Sequence, residues 1–136
     1  MITDSQTNTV YFSDLLKLQF PKIENALTNL LLKDGITIKE IHGTKDIWCR
    51  DYMPIQIGSE KFILFVYDPL YLRNRKDLRT DPVELPYDVK SSHLILDGGN
   101  VVKAKNKAII TSNVYIDNAI FSRHEIDHML MTTLEV

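Results

Sequence analysis

Two short segments of this chain combine an acidic residue with residues that turn the backbone, and they restrict the folds that the chain can adopt. Segment 48–54 reads Trp-Cys-Arg-Asp-Tyr-Met-Pro, and segment 97–100 reads Asp-Gly-Gly-Asn. In each segment the acidic residue, Asp51 or Asp97, is predicted to stand at the end of a β-strand. Pro54 disfavours helical backbone at the preceding residue, and the two consecutive glycines supply backbone freedom at the second turn. The chain is therefore expected to present two carboxylates at strand ends.

Helical and strand patterns occur in one order along the chain and predict a mixed α/β architecture. Apolar residues recur at helical spacing over residues 21–33, and Asp34-Gly35 ends that helix. Ser13-Asp14 is typical of a helix start, and a Ser-x-x-Glu capping box predicts another helix from Ser122. Strands are predicted at residues 36–41, 55–57, 61–67, 92–96, 101–104 and 108–112, with the opening of a further strand at 134–136. The remaining predicted features are a loop at 68–90 and a tight turn at 105–107.

Composition excludes several classes of function. The chain has 136 residues and 44% hydrophobic residues, enough for one domain with its own core, so residues 1–136 are predicted to form a single domain. A net charge of −2 gives no reason to expect nucleic acid or an anionic membrane as a partner. The polar start lacks the pattern of a signal peptide, and the single cysteine fits a reducing compartment. A cytoplasmic location is the expectation.

The residue types in the two segments suit a planar cation. The Asp51 carboxylate can accept two N–H bonds from one edge of such a cation while the Trp48 ring covers a face. The alternative is a surface pair of Arg50 and Asp51 with Trp48 in the core. Segment 97–100 could likewise be an ordinary hairpin turn. It lacks the helix and the further glycines of a phosphate-binding loop, so a nucleotide site is not predicted.

Together the two segments resemble the agmatine deiminase and bacterial peptidylarginine deiminase family. A basic, proline-containing loop separates them here as in that family, and the likeness covers most of the chain from about Ile36 onward. It implies a partial pentein-type α/β propeller, consisting of about the first two strand-strand-helix-strand modules. The implied reaction is hydrolysis of a guanidino group of agmatine or (peptidyl-)arginine to the ureido product and ammonia, as in putrescine biosynthesis from agmatine. A cysteine thiouronium intermediate carries this reaction, and no cofactor or metal is implied.

The resemblance also implies roles for individual residues. Asp51 is expected to bind the substrate guanidinium, and Asp97 is expected to assist the catalytic histidine and the reacting group. Further residues expected to line the pocket or contact the substrate are Trp48, Arg50, Gly99 and Asn100.

Two catalytic groups of that family have no counterpart in the sequence. The family histidine lies in a His-x-Asp segment, which the chain lacks, and its nucleophilic cysteine lies late in the chain. Cys49 is predicted to be a buried structural thiol instead. The chain is therefore expected to be an N-terminal portion of a deiminase catalytic domain and inactive alone. The alternative is a non-catalytic remnant that acts as a binding or assembly module. In either case self-association or docking with a C-terminal portion is expected, because part of a propeller leaves strand edges uncovered.

Two further patterns resemble functional motifs, but a structural role is the preferred interpretation of each. Residues 124–128 fit His-Glu-x-x-His, the helix signature of zinc proteases, but only Glu135 follows as a third ligand, so a capped surface helix is preferred. The cluster of cations at residues 73–79 lacks interleaved aromatics, which favours a solvated loop over a nucleic-acid site.

Overall fold

The computed structural model describes residues 3–83, 85–104 and 106–136, which form three small sheets and five helices. The strands are β1 (Thr9–Ser13), β2 (Thr37–Ile41), β3 (Ile55–Gln56), β4 (Lys61–Val66), β5 (Asp88–Ile95), β6 (Val101–Ala104) and β7 (Lys107–Ile110). The helices are α1 (Asp14–Gln19), α2 (Pro21–Lys33), α3 (Cys49–Tyr52), α4 (Asn113–Asp117) and α5 (Arg123–Leu134). Short 3-10 turns lie at Asp4–Gln6, Leu70–Leu72, Lys76–Leu78 and Gly98–Asn100. The prediction of a mixed α/β fold is confirmed.

The first sheet pairs β1 with β2 in parallel, and α1 and α2 connect them. The Ser13 hydroxyl caps α1 by accepting a hydrogen bond from the backbone N–H of Leu15, as the sequence predicts. Helix α2 has the predicted bounds, since Pro21 occupies its first turn and Gly35 follows its end with φ of +69°. Strand β1 is not predicted by the sequence, because its one pairing partner lies on the far side of two helices.

The other two sheets share one core beneath α5. Strand β4 lies between β3, which is antiparallel to it, and β5, which is parallel to it. Strands β6 and β7 form a separate antiparallel pair. The predicted capping box is present, with Ser122 and Glu125 bonding to each other's backbone. Residues spaced one turn apart on α5, including the fully buried Ile126 and Leu134, pack into this core.

Four predictions about backbone structure are wrong. Asp51 lies in the helical turn α3 and not at a strand end, because Pro54 constrains only Met53, which is indeed extended, and leaves 49–52 free to close a turn. Residues 134–136 do not begin a strand. Helix α5 continues to Leu134, whose burial extends the helical stripe, and Glu135 ends the helix in the left-handed region.

The third correction concerns the long loop predicted at 68–90. Two 3-10 turns interrupt it, and β5 begins earlier than predicted, at Asp88, because pairing with β4 extends the strand. The strand predicted at 108–112 ends earlier than expected, at Ile110, and Ser112 directly precedes helix α4. Of the tight turn predicted at 105–107, Lys105 lies outside the described residues, as does Glu84 of the loop. Within the described parts of the chain, no helix is long and apolar enough to cross a membrane.

Candidate functional site

The helical turn α3 and the glycine turn at 98–100 meet at the carboxylate of Asp51. The backbone N–H of Gly99 donates to Asp51 Oδ1 at 3.1 Å. A Cβ atom on Gly99 would collide with this carboxylate, and one on Gly98 would collide with the carbonyl oxygen of Arg50. Neither glycine has a positive φ. The glycines are therefore needed for the close approach of α3, which contacts Gly98 with its backbone and Gly99 with the Asp51 carboxylate. They are not needed for the backbone freedom that the sequence predicts.

The Arg50 side chain binds the backbone of the glycine turn. Its Nε donates to the carbonyl oxygen of Gly98 at 3.1 Å, and its Nη2 donates to that of Val101 at 3.0 Å. Bonds from a charged donor are stronger than neutral ones, so Arg50 fixes the turn that follows Asp97. The alternative of a plain hairpin turn at 97–100 is wrong, since β5 pairs with β4 and β6 pairs with β7.

Asp97 lies two residues beyond Ile95, the last residue of β5. Its environment disfavours its charge. Burial, together with the nearby carboxylates of Asp51 and Asp117, raises the pKa of Asp97 to about 6. The Asn100 amide donates to Asp97 Oδ2 at 3.5 Å. Burial also raises the pKa of Asp51, and the N–H of Gly99 partly offsets this effect. The site therefore concentrates negative charge in a partly desolvated place, which favours binding of a cation.

A cavity of about 150 Å³ opens beside Asp97. Its lining residues are Pro69, Leu70, Tyr71, Asp97, Asn100, Asn113, Ile116 and Asp117. Sequence reasoning missed Asp117, which lies at the end of the short helix α4. The one local signal is the Asp117-Asn118 pair after an apolar stretch, and such a pair is common at helix ends.

Two other predicted site residues have different surroundings. Trp48 is 66% exposed, so the alternative that makes it a core residue is wrong. Cys49 is buried, and its Sγ accepts a hydrogen bond from the Tyr52 hydroxyl at 3.3 Å. Burial raises the pKa of Cys49, which keeps the thiol protonated and poorly nucleophilic. The prediction of a structural thiol is confirmed.

The competing motifs have structural roles. Glu125 of the His-Glu-x-x-His segment accepts hydrogen bonds from the backbone and the hydroxyl of Ser122, both at 2.7 Å. In the described residues no group of three or more potential ligands could hold a metal ion. In the basic loop, Arg75 pairs with Asp77 and Arg79 pairs with Asp68. These pairs fit the predicted solvated loop.

Comparison with known proteins shows that the fold is similar to part of two solved structures. No protein-family model and no curated protein matches the chain. An agmatine deiminase from C. jejuni superposes with a TM-score of 0.57 at 14% identity, over 96% of this chain and 51% of that one. A structural-genomics structure provisionally assigned as an agmatine deiminase superposes with a TM-score of 0.53 at 17% identity, over 97% of this chain and 40% of that one.

This chain has the fold of part of an agmatine deiminase. It spans about half the length of one solved neighbour and 40% of the other. The shared fold extends over 96–97% of this chain. At these identities the likeness concerns the fold and leaves the roles of individual side chains as predictions.

Proposed function

We propose that the chain supplies the guanidinium-binding part of a C–N hydrolase that deiminates agmatine or an arginine-like substrate. The observation that carries this proposal is the proximity of Asp51 and Asp97, two partly buried carboxylates: burial raises the pKa of both, and the charge of Asp51 raises the pKa of Asp97 further. The fold shared with agmatine deiminases supports it. Since the chain spans only part of those structures, the activity of a whole enzyme is part of the proposal.

The chemistry requires carboxylates because a guanidinium is resonance-stabilised and a poor electrophile. Asp51 would accept hydrogen bonds from the cation, fix its plane and favour its protonated form. A cysteine thiolate would attack the central carbon, and a histidine would protonate the departing ammonia before water releases the ureido product. Neither of these two groups is matched in this sequence, so the chain would need them from a further part of the fold.

The remaining residues have distinct parts in this proposal. Asp97 would assist the histidine, and its raised pKa would let it exchange a proton near neutral pH. Arg50 would hold the turn after Asp97 in place through its bond to Gly98, and the Gly99 N–H would hold the Asp51 carboxylate. The exposed Trp48 would cover one face of the cation, and Asn100 would orient Asp97.

The wider architecture is proposed on the same basis. The chain would form about two modules of a pentein-type propeller and one portion of a catalytic domain that acts in the cytoplasm, in putrescine production if agmatine is the substrate. The second candidate function is a non-catalytic assembly module. Exposed apolar side chains on the second half of the chain favour it, namely Val102, Ile109, Ile116, Ile120 and Met131.

A binding titration tests the proposed function. Agmatine added to the 136-residue chain should bind with a dissociation constant of about 1 mM or tighter, as measured by calorimetry or by shifts of backbone amide signals. Asp51→Asn should weaken binding at least about tenfold, because it removes a charge-assisted pair. Asp88→Asn is the matched control, since it removes one exposed carboxylate at the start of β5.

Two outcomes would contradict the proposal. Absence of agmatine binding by the folded chain would refute it, and so would equal affinity in the Asp51 and Asp88 variants. Sedimentation of the same sample tests the assembly alternative, because a monomer at all concentrations would count against it. Ammonia release from the chain alone is not expected, since the nucleophile is missing.

A further inference from the structure

Asn118 ends helix α4 and also bonds the end of strand β5. Its side chain is buried, and the amide bonds both backbone groups of Ile95: Oδ1 accepts from the N–H at 2.9 Å, and Nδ2 donates to the carbonyl oxygen at 2.8 Å. The same Nδ2 donates to the carbonyl oxygen of Val114, one turn earlier in α4, at 2.8 Å. One side chain therefore ties the end of α4 to the last residue of β5.

The Asn118 amide takes the place of a neighbouring strand at this edge of the sheet. In the described parts of the chain β5 pairs with β4 alone, so its outer edge has no strand beside it. On the β4 side, the N–H of Leu96 donates to the carbonyl oxygen of Val66 at 3.1 Å. Backbone groups that are shielded from water need hydrogen-bond partners, and Asn118 supplies both of them for Ile95.

Asp97 lies between two anchored positions of the backbone. Ile95, two residues before it, is held by Asn118, and Gly98, directly after it, accepts a hydrogen bond from Arg50 Nε at 3.1 Å. The bond from the Asn100 amide to the Asp97 carboxylate is long, at 3.5 Å, and bonds of this length are weak. The backbone on either side therefore decides where this carboxylate lies.

We propose that Asn118 is a positioning residue of the candidate site, which holds the end of β5 so that Asp97 stays beside Asp51. The inference rests on the proposed function, because it assigns Asn118 to the placement of one of the two carboxylates that act on the guanidinium. Arg50 holds the residues after Asp97, and Asn118 holds those before it. Loss of the Asn118 amide releases the strand end, admits water to Asp97 and moves it away from Asp51.

The test follows the side-chain carboxyl carbon of Asp97 by NMR during pH titrations of wild type and Asn118→Ala. Burial is the largest cause of the raised pKa of Asp97, followed by the charges of Asp51 and Asp117. Release of the strand end weakens these effects, so the measured pKa should fall from about 6 toward the ordinary value of 3.8. The dissociation constant for agmatine should rise at least about threefold in the same variant.

Leu134→Ala is the matched control for a general loss of stability. Leu134 is buried in the core beneath α5, and its truncation leaves a cavity there. The residues on either side of it, at 133 and 135, line a cavity together with Lys61 and Asp88, the first residues of β4 and β5. Leu134 therefore lies near the start of β5, whereas Asp97 follows its end, and Leu134→Ala should keep the wild-type pKa of Asp97 and the wild-type affinity.

A second variant replaces Asn118→Ala if that variant does not fold. The hydroxyl of Asn118→Ser can still donate to the carbonyl oxygen of Val114, four residues earlier. It cannot bond both backbone groups of Ile95, so it should change the pKa of Asp97 and the affinity in the same direction as Asn118→Ala.

The outcomes separate this inference from the proposed function. If wild type binds agmatine and Asn118→Ala binds it equally well, the inference is overturned and the proposed function stands. Equal changes in Asn118→Ala and Leu134→Ala would also overturn the inference, since a general loosening of the fold would then be the cause. If wild type does not bind agmatine, the proposed function is refuted, whereas a lower pKa of Asp97 confined to the Asn118 variants still supports its placement by Asn118.

Discussion

Replacing Asp97 with asparagine should remove a pH dependence from the stability of the protein. The pKa of Asp97 is raised from 3.8 to about 6 in the folded chain, chiefly by burial and then by the neighbouring carboxylates. Between pH 4 and 6 the folded state therefore binds more protons at this residue than the unfolded state does. Stability must fall as the pH rises through that window, and the loss is complete above the folded-state pKa.

The expected size of the effect follows from the raised pKa. Each pKa unit corresponds to about 1.36 kcal/mol, so a rise to about 6 sets an upper limit of about 3 kcal/mol. The carboxylate is only partly buried, and solvent screening reduces the figure to about 1–2 kcal/mol. Asp97→Asn cannot ionise at this position. Its stability relative to wild type should therefore increase by about 1–2 kcal/mol from pH 4 to pH 7.

Urea unfolding followed by far-ultraviolet circular dichroism measures this difference. Both proteins are unfolded at pH 4, 5, 6 and 7, and only the change in their difference is interpreted, because carboxylates that do not interact with Asp97 contribute equally to both. Asp88→Asn controls for the loss of one negative charge. The reasoning is refuted if the difference between Asp97→Asn and wild type is the same at pH 4 and pH 7 within about 0.3 kcal/mol, which is the usual additivity error.

The remaining predictions concern the contacts that build the site. Gly99→Ala should destabilise the protein by about 1–3 kcal/mol in urea unfolding, because the added methyl overlaps the Asp51 carboxylate. Gly58→Ala, whose methyl would have its nearest contact with the Lys61 side chain at 3.3 Å, should cost clearly less, and equal costs would contradict the close-approach argument. Asn118→Ala should lower stability by about 1–3 kcal/mol for each buried backbone group left without a partner, and a variant as stable as wild type would show that water replaces the amide.

Local signals in the sequence predict both ends of α2 and the start of α5. The bounds of α2 and the capping box of α5 follow from Pro21, Gly35 and the Ser122–Glu125 pair. Each of these residues acts within about one turn of the helix that it begins or ends. The strand end before Asp97 follows from the apolar run that precedes it. Such features are encoded by neighbouring residues and need no knowledge of the rest of the fold.

Long-range contacts decide what the sequence leaves open at the site. The bond between Gly99 and Asp51 joins residues 48 positions apart, and that between Asn118 and Ile95 joins residues 23 positions apart. The glycine pair predicts a flexible turn when considered alone, and only the approach of α3 shows that its missing Cβ atoms make room for another segment. Asp117 has no distinguishing sequence pattern. Only the folded chain shows that it lines a cavity, which three separate parts of the chain form.

The sequence by itself therefore determined the bounds of α2, the starts of α1 and α5 and the mixed α/β order, because these depend on propensity and capping between near neighbours. Asp51 and Asp97 as the carboxylates of the candidate site stay a prediction from the sequence. The tertiary structure decided the helical turn that carries Asp51, the raised pKa of Asp97 and the presence of Asp117 beside it. Burial and charge repulsion arise only when segments distant in sequence come into contact, so no local pattern could encode them.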